Sequence, residues 1–415
     1  MLFAYCNVQF CRYGICRFTF FFAYDILLKT RVGVEMIKTI EKADGMMKSS
    51  LGLTEFFKGV AILMVILVHS HQMFDLSAPY NTVQKFGQMG CQMFFVLSSF
   101  GLCHSFSEKV PKWFEHMRKR LSKLALGYWG AILLHAIYRL SLAISTKPEE
   151  WLSALNIPGI VINALFLNGV VPFSAINNTI VRGGWYVGTT VILYALFPLL
   201  YAVYFSDKYW WWKKYRLLLF PIITFLLTAS AVIIAGKLHP VFVCNNNSFV
   251  YFSFVNQLTP FSLGLVLFDI CRRGYMVKNA VWYSLLMGVM AVILFYGNIP
   301  YAFVLCPTFV ACAFVLLYSV VLSDQRAYER IDQSPNGIVK LIRRFGKISY
   351  PIYLTHSFIV YELSTICLTL LRPIYNNDLL WYVILLPIEI CLVYLVGRIY
   401  DKGLMCITNS SKNKP

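Results

Sequence analysis

Long apolar runs, separated by short polar and mostly basic segments, organise this chain. Hydrophobic stretches near the roughly 20 residues needed to cross a bilayer occupy positions 57–76, 86–106, 124–144, 185–205, 217–235, 250–270, 281–296, 301–322, 349–371 and 379–396. This pattern predicts an all-α, polytopic transmembrane helical bundle of about ten spans. An eleventh run, 157–173, is shorter and is interrupted by Pro158, Gly159, Gly169 and Pro172.

Charge asymmetry decides how to treat that eleventh run. If the first span starts in the cytoplasm, the basic loop at 109–123 is also cytoplasmic. If 157–173 does not cross, the basic segments at 208–216, 272–273 and 324–347 join it on that side. If it crosses, all three move outside, against the positive-inside rule. The run therefore reads as a re-entrant or interfacial segment, its irregular backbone shielded by protein. The protein is then expected in the cell membrane, multi-pass, with both termini cytoplasmic and an exterior vestibule built from 145–184.

Composition agrees. The chain is 58% hydrophobic and only 13% charged, against roughly a quarter charged in soluble domains. The excess of 37 Lys and Arg over 19 Asp and Glu lies in short loops, which suits membrane topology and not nucleic-acid binding. Twelve cysteines are scattered with no CxxC pair, so neither a disulfide framework nor a metal site is expected. Three regions follow: a leader at 1–50, an integral-membrane domain at 51–400 and a cytoplasmic tail at 401–415. The first 35 residues combine cysteines and aromatics with an apolar run too short to span, and are expected to be dispensable, with Met36 as a natural start. Asn177-Asn178-Thr179 and Asn246-Asn247-Ser248 fit glycosylation acceptors on the outer side, a pattern that also arises by chance.

Four local patterns carry candidate chemistry. The first span contains Lys58 and, eleven residues on, His69. Eleven residues make three helical turns plus about 20°, so both side chains share a face, about 16 Å apart along the axis. A titratable group at membrane depth is costly and points to function, although a histidine hydrogen-bonded within a bundle gives the same sequence. The second pattern, Gly90 to Gly101, pairs Phe94 and Phe95 with the small residues Ser98 and Ser99, which by itself means close helix packing. In the third, Arg118, Lys119, Arg120 and Lys123 precede Tyr128-Trp129. This is either a topology-setting loop or an anion clamp, since Arg120 and Lys123 share a helix face. In the fourth, Ser349, Tyr353 and His356 recur at helical spacing on one stripe of the ninth span, and a polar stripe there must face protein or water.

Taken in order, these segments resemble the acyltransferase-3 family of integral-membrane acyltransferases. Lys58-Gly59…His69 is similar to the family's Arg-Gly…His, with lysine for arginine. Phe94-Phe95-Val96-Leu97-Ser98-Ser99-Phe100 resembles its aromatic pair followed by Leu-Ser-Gly-Phe. Arg118-Lys119-Arg120…Lys123…Tyr128-Trp129 resembles its basic loop, without the usual proline. Trp185-Tyr186-Val187-Gly188-Thr189-Thr190…Phe197-Pro198 resembles its Trp-x-Leu-Ser-x-Glu…Phe-Pro, with Thr190 in the acidic position. Ile348-Ser349-Tyr350-Pro351-Ile352-Tyr353-Leu354-Thr355-His356 is close to its Ile-Ser-Tyr-x-Ile-Tyr-Leu-x-His. The resemblance covers about 51–400.

The resemblance implies an O-acyltransferase that moves acetyl, or another short acyl group, from acyl-CoA to a hydroxyl of a cell-envelope glycan or glycolipid. It needs no cofactor beyond that donor substrate. His69 is the expected catalytic base, or in a variant the carrier of a covalent acyl group. Lys58, Arg118, Arg120 and Lys123 are expected at the donor phosphates, and Trp185, Ser349, Tyr353 and His356 at bound substrate. His71, His104 and His135 are expected to be structural. Glu362 and Glu389 are intramembrane acids expected to pair with basic or histidine side chains across the bundle. A transporter or flippase without acyl-transfer chemistry also fits ten spans and buried polar groups, as does an inactive relative with a sensing role, given Lys58 and Thr190.

The topology is testable by thiol labelling. Single cysteines placed near Glu150 and Ser174 in a cysteine-free background should both react with an impermeant reagent from outside. Labelling on opposite sides would mean that 157–173 crosses.

Overall fold

The computed structural model describes residues 40–77, 80–146, 149, 155–171, 180–238, 249–275, 277–297, 302–332, 334 and 336–412. The expected start near Met36, the labelling positions Glu150 and Ser174 and the two glycosylation patterns lie outside these residues. Within them the ordered elements are helical, with no strand. In chain order they are α1 (Ile40–Ser70), α2 (Tyr80–Lys85), α3 (Gly90–Glu108), α4 (Trp113–Thr146), α5 (Ile157–Ala164), α6 (Gly184–Tyr204), α7 (Trp210–Leu238), α8 (Phe249–Phe252), α9 (Leu258–Arg273), α10 (Ala280–Tyr296), α11 (Ala302–Ser323), α12 (Gln325–Asp332), α13 (Gly337–Lys347), α14 (Ser349–Ser357), α15 (Ser364–Leu371) and α16 (Asp378–Lys412). A π-helical turn, Phe358–Leu363, joins α14 to α15.

The ten predicted spans fall on helices, and among the described residues seven stretches are long and apolar enough to cross a membrane. Three spans fall short for separate reasons. The apolar half of α4 carries His135 and Arg139, α10 is a shorter apolar helix, and the span predicted at 250–270 is broken into α8 and α9. In the eleventh run the helix is only α5, 8 residues or roughly 12 Å long, too short for a hydrocarbon core of about 30 Å.

The core sits around α3 and α9. Both are buried on nearly every face, over Gly90–Leu97 and Thr259–Cys271 respectively, as befits a helix surrounded by others. They run side by side in the same direction, with Gln92 bonded to Gln257 and Phe100 against Phe268. α1 runs against them, Gly87 and Gly90 lying on the backbone of Met64 and Ala61. The amino-terminal half of α1 is clamped by α13. A Cβ at Gly59 would meet the carbonyl oxygen of Ile342, and one at Gly346 the carbonyl oxygen of Glu55. Only glycine allows that approach, and Arg343 and Lys347 add ion pairs to Glu55 at 3.6 and 3.8 Å.

The break between α8 and α9 shows how irregular backbone survives at this depth, where each unpaired carbonyl is costly. Pro260 brings no amide hydrogen to the first turn of α9, where none is needed. The freed carbonyls find side chains. Thr189 Oγ1 donates to Phe252 O at 2.7 Å, Thr228 Oγ1 to Val255 O at 2.8 Å, and Gln257 Nε2 to Tyr251 O at 2.8 Å. The amide of Phe254 donates to Gly169 O at 3.4 Å, so this break and the end of the 157–173 run support each other. That run is pinned again by Tyr128 Oη and Asn168 Nδ2, which both donate to Asn163 Oδ1, at 2.6 and 2.9 Å.

At the end shared by the carboxyl termini of α3 and α9, one carboxylate organises the charge. Asp269 is 0% exposed and accepts from Arg216 at 2.9 and 3.2 Å and from Arg273 at 2.8 Å. Arg216 is itself buried, while Arg272 and Arg273 reach the surface. Removing one partner of a buried pair strands a charge at a cost of roughly 3–5 kcal/mol, whereas an apolar replacement of both is often near neutral. Asp269→Asn should therefore lower thermal stability in detergent sharply. Asp269→Leu combined with Arg216→Met should recover most of the loss, and an equal loss in both proteins would refute this account.

Candidate active site

His69 occupies the last turn of α1, at the end of the bundle opposite Asp269. The α-helix tightens directly afterwards into a 3-10 turn, His71–Met73, which brings Gln72 back beside it. His69 Nδ1 lies 2.7 Å from the hydroxyl of Tyr361, and that hydroxyl in turn donates to Gln72 Oε1. The Arg182 guanidinium caps the Tyr361 ring, 3.7 Å from its centroid. Gln72 and Arg182 are exposed, so this cluster faces the open end of the bundle. Gln72 also hydrogen-bonds the His69 imidazole through its side chain.

His356 is the second imidazole. Its ring centroid lies 5.0 Å from that of His69. It is fully buried, and its Nδ1 donates to Tyr353 O at 2.7 Å. A carbonyl only accepts, so Nδ1 carries the hydrogen and Nε2 the lone pair. That Nε2 is buried without a partner among the described residues. Tyr353 donates its hydroxyl to Gly183 O at 2.8 Å. Gly183 has φ +84°, a left-handed conformation that glycine adopts without strain, and it starts α6 while holding Arg182 at the mouth.

The end of α1 is anchored from outside as well. Arg372 makes a two-pronged pair with Asp378, at 2.9 and 2.6 Å. The same carboxylate accepts from the amide of Asp75 at 2.6 Å. The segment that follows His69 is thus tied to the first turn of α16.

The structure brings some of the sequence-predicted residues together and leaves others apart. His69, His356 and Tyr353 form one cluster, with rings of Tyr353 and His356 5.6 Å apart. Ser349 is buried in the first turn of α14, seven residues or about 10 Å below His356 along that helix. Trp185 lies in a buried aromatic group with Phe95, Tyr251 and Phe252. Lys58 is partly buried beside the α13 clamp, while Arg118 and Lys123 are exposed on α4. Arg120 Nη2 donates to Ser105 Oγ at 3.1 Å. Among the described residues no ion pair or hydrogen bond joins Lys58 to this group. His104 packs on Phe100 and Phe268, and His135 stacks on Phe358 at 3.8 Å. Tyr138 donates to Glu362, which also lies close enough to Arg139 to act on its charge, and Ser364 donates to Glu389.

Sequence reasoning missed Gln72, Arg182 and Tyr361. Gln72 had one visible signal, a polar residue three places after His69. Arg182 stands in the turn ahead of α6, where helical spacing gives no signal. Tyr361 lies five residues beyond His356, off the stripe that helical spacing marks. Thr190 stands where an acidic partner for His69 was expected; it is buried in α6, and Tyr361 fills the partner's place at Nδ1.

A protein-family model described as "Acyltransferase domain" matches residues 54–398, a span that contains both imidazoles and all of the hydrogen-bonded cluster. No curated protein and no solved structure matches the chain.

Proposed function

The chain belongs to the acyltransferase-3 family and is a multi-pass membrane acyltransferase; from that premise we propose that it moves acetyl, or another short acyl group, from acyl-CoA to a hydroxyl of a cell-surface glycan or glycolipid. The observation that carries this reading is the imidazole of His69, hydrogen-bonded to Tyr361 through Nδ1 and flanked by His356, at an end of the bundle where Gln72 and Arg182 are exposed. A base must be within reach of the proton it removes and correctly oriented. An imidazole held through Nδ1 beside an exposed opening suits that role.

In the reaction, His69 Nε2 takes the proton of the acceptor hydroxyl as that oxygen bonds to the thioester carbonyl carbon. The carbon–sulfur bond then breaks, and the departing CoA thiolate receives the proton from His69. One ester bond has replaced one thioester bond, and the imidazole is neutral again. A positioned general base of this kind contributes typically ~10²–10⁴-fold. The unpartnered Nε2 of buried His356 can accept a hydrogen bond from a bound hydroxyl or amide. Tyr353 holds the Gly183 turn in place. The hydroxyl of Tyr353 is already committed to that carbonyl.

The donor is cytoplasmic and polyanionic. We place its phosphates at the basic end, near Lys58, Arg118, Arg120 and Lys123, with the pantetheine arm directed along α1 toward His69. The rise from Lys58 to His69, about 16 Å, suits an extended arm of that kind. Both termini lie on the cytoplasmic side in this arrangement, and the acceptor arrives from the exterior, past Gln72 and Arg182.

His69→Ala should abolish acyl transfer by purified protein while leaving membrane insertion intact, as read from radiolabelled acetyl-CoA and a glycan acceptor; wild-type turnover would refute the mechanism. Lys58→Arg should keep or improve activity, because guanidinium binds phosphate in a two-pronged fashion. Lys58→Glu should raise the KM for acetyl-CoA about tenfold or more, since it reverses a charge at the phosphates. An unchanged KM would remove this helix face from the donor site.

A further inference from the structure

His356 and Tyr361 are five residues apart, and both touch the His69 ring, with centroids at 5.0 and 5.8 Å. In an α-helix five residues turn through 500°, which leaves two side chains about 140° apart. They would not face one neighbour. The turn between them is π-helical over Phe358–Leu363. Its i→i+5 bonding places residues five apart nearly above one another. Such turns are frequent at functional sites, and this one delivers Tyr361 to the imidazole that His356 already flanks.

The hydrogen bonds then fix which nitrogen of His69 is the base. The Tyr361 hydroxyl has one hydrogen. Gln72 Oε1 can only accept, so that hydrogen points to Gln72. Toward His69, at 2.7 Å, the phenol oxygen therefore accepts, and Nδ1 must carry a hydrogen. The lone pair is left on Nε2.

We propose that Tyr361 and Gln72 are positioning residues: carried to His69 by the π turn and the 3-10 turn, they hold its imidazole as the Nδ1–H tautomer with Nε2 presented as the base. This rests on the reading of His69 as the base. Arg182, lying on the Tyr361 ring, keeps the phenol in register. As Nε2 takes up the acceptor's proton, the Nδ1–H becomes a stronger donor. The positive charge is then spread onto the phenol oxygen and the Gln72 carbonyl. A carboxylate orients the imidazole in the serine-protease triad; here a phenol and an amide do it, and the acidic position of the family pattern is free to be Thr190.

The test uses the full-length protein in detergent or nanodiscs. Tyr361→Phe removes the acceptor at Nδ1 and should lower kcat about 10- to 100-fold, with the KM for acetyl-CoA unchanged and the acid limb of the pH–rate profile displaced. Gln72→Leu, at an exposed position that tolerates exchange, should lower kcat less, and combining it with Tyr361→Phe should add nothing further. Gln72→Glu should retain activity, because a carboxylate accepts from the phenol as well. A direct readout independent of turnover is the nitrogen chemical shift of labelled histidine, with His69 assigned by difference from His69→Gln. It should show hydrogen on Nδ1 in the wild type and a loss of that preference in Tyr361→Phe. Hydrogen on Nε2 in the wild type, additive kcat losses or an undisplaced pH profile would overturn the proposal. If His69→Ala is inactive while Tyr361→Phe behaves as wild type, the positioning role falls and the base survives. If His69→Ala is fully active, the base itself falls.

Discussion

Inside a bilayer no backbone carbonyl or amide can turn to water, and this single constraint governs where the chain leaves the α-helix and what surrounds it there. Three such departures stand out among the described residues. At α5 and the turn after it, Asn163 and Asn168 form a small amide network closed by Tyr128. Between α8 and α9, hydroxyls and amides from three helices cover the loose carbonyls. At Phe358–Leu363 the helix widens instead of opening. All three lie toward the half of the bundle that holds His69. The polar side chains that irregular backbone demands are also the ones that give that half its chemical character.

Position along α1 follows from a different contact. Gly59 and Gly346 let α1 and α13 approach at the backbone, and the Glu55 ion pairs hold the amino-terminal half at that depth. At the far end, Asp378 and Arg372 secure the segment after His69. A helix held at both ends leaves the imidazole between them little freedom to slide. The catalytic proposal depends on that, because a misplacement of about 1 Å can cost two orders of magnitude in rate.

The electrostatic arrangement is polarised along the same axis. Asp269 neutralises Arg216 within the bundle and leaves Arg272 and Arg273 toward the surface. The basic residues of α4 and α13 lie at that end too, which therefore suits a polyanionic donor. At the His69 end, Arg182 lies over the Tyr361 ring beside the imidazole–phenol–amide chain. Nearby, Phe358 stacks on His135 and Tyr186 packs on Tyr353, and hydrogen bonds count for more in such apolar surroundings.

The sequence by itself determined the helical membrane architecture, because hydrophobic run length and the placement of lysine and arginine report directly on a bilayer. It also singled out His69, Tyr353 and His356, since polar residues at helical spacing are conspicuous among apolar ones, and their order carried the family resemblance. Asn256, Gln257 and Pro260 interrupt the run at 250–270, but nothing in that segment reveals that Thr189 and Thr228 cover the freed carbonyls. Nor could the sequence reveal Tyr361 as the partner of His69, because the two lie 292 residues apart and a π turn shifts the phase of every spacing rule after it. Only the tertiary structure decided those points. Hydrogen-bond satisfaction between distant segments selects where a helix breaks or widens, and that competition is not encoded in the periodicity of any one segment.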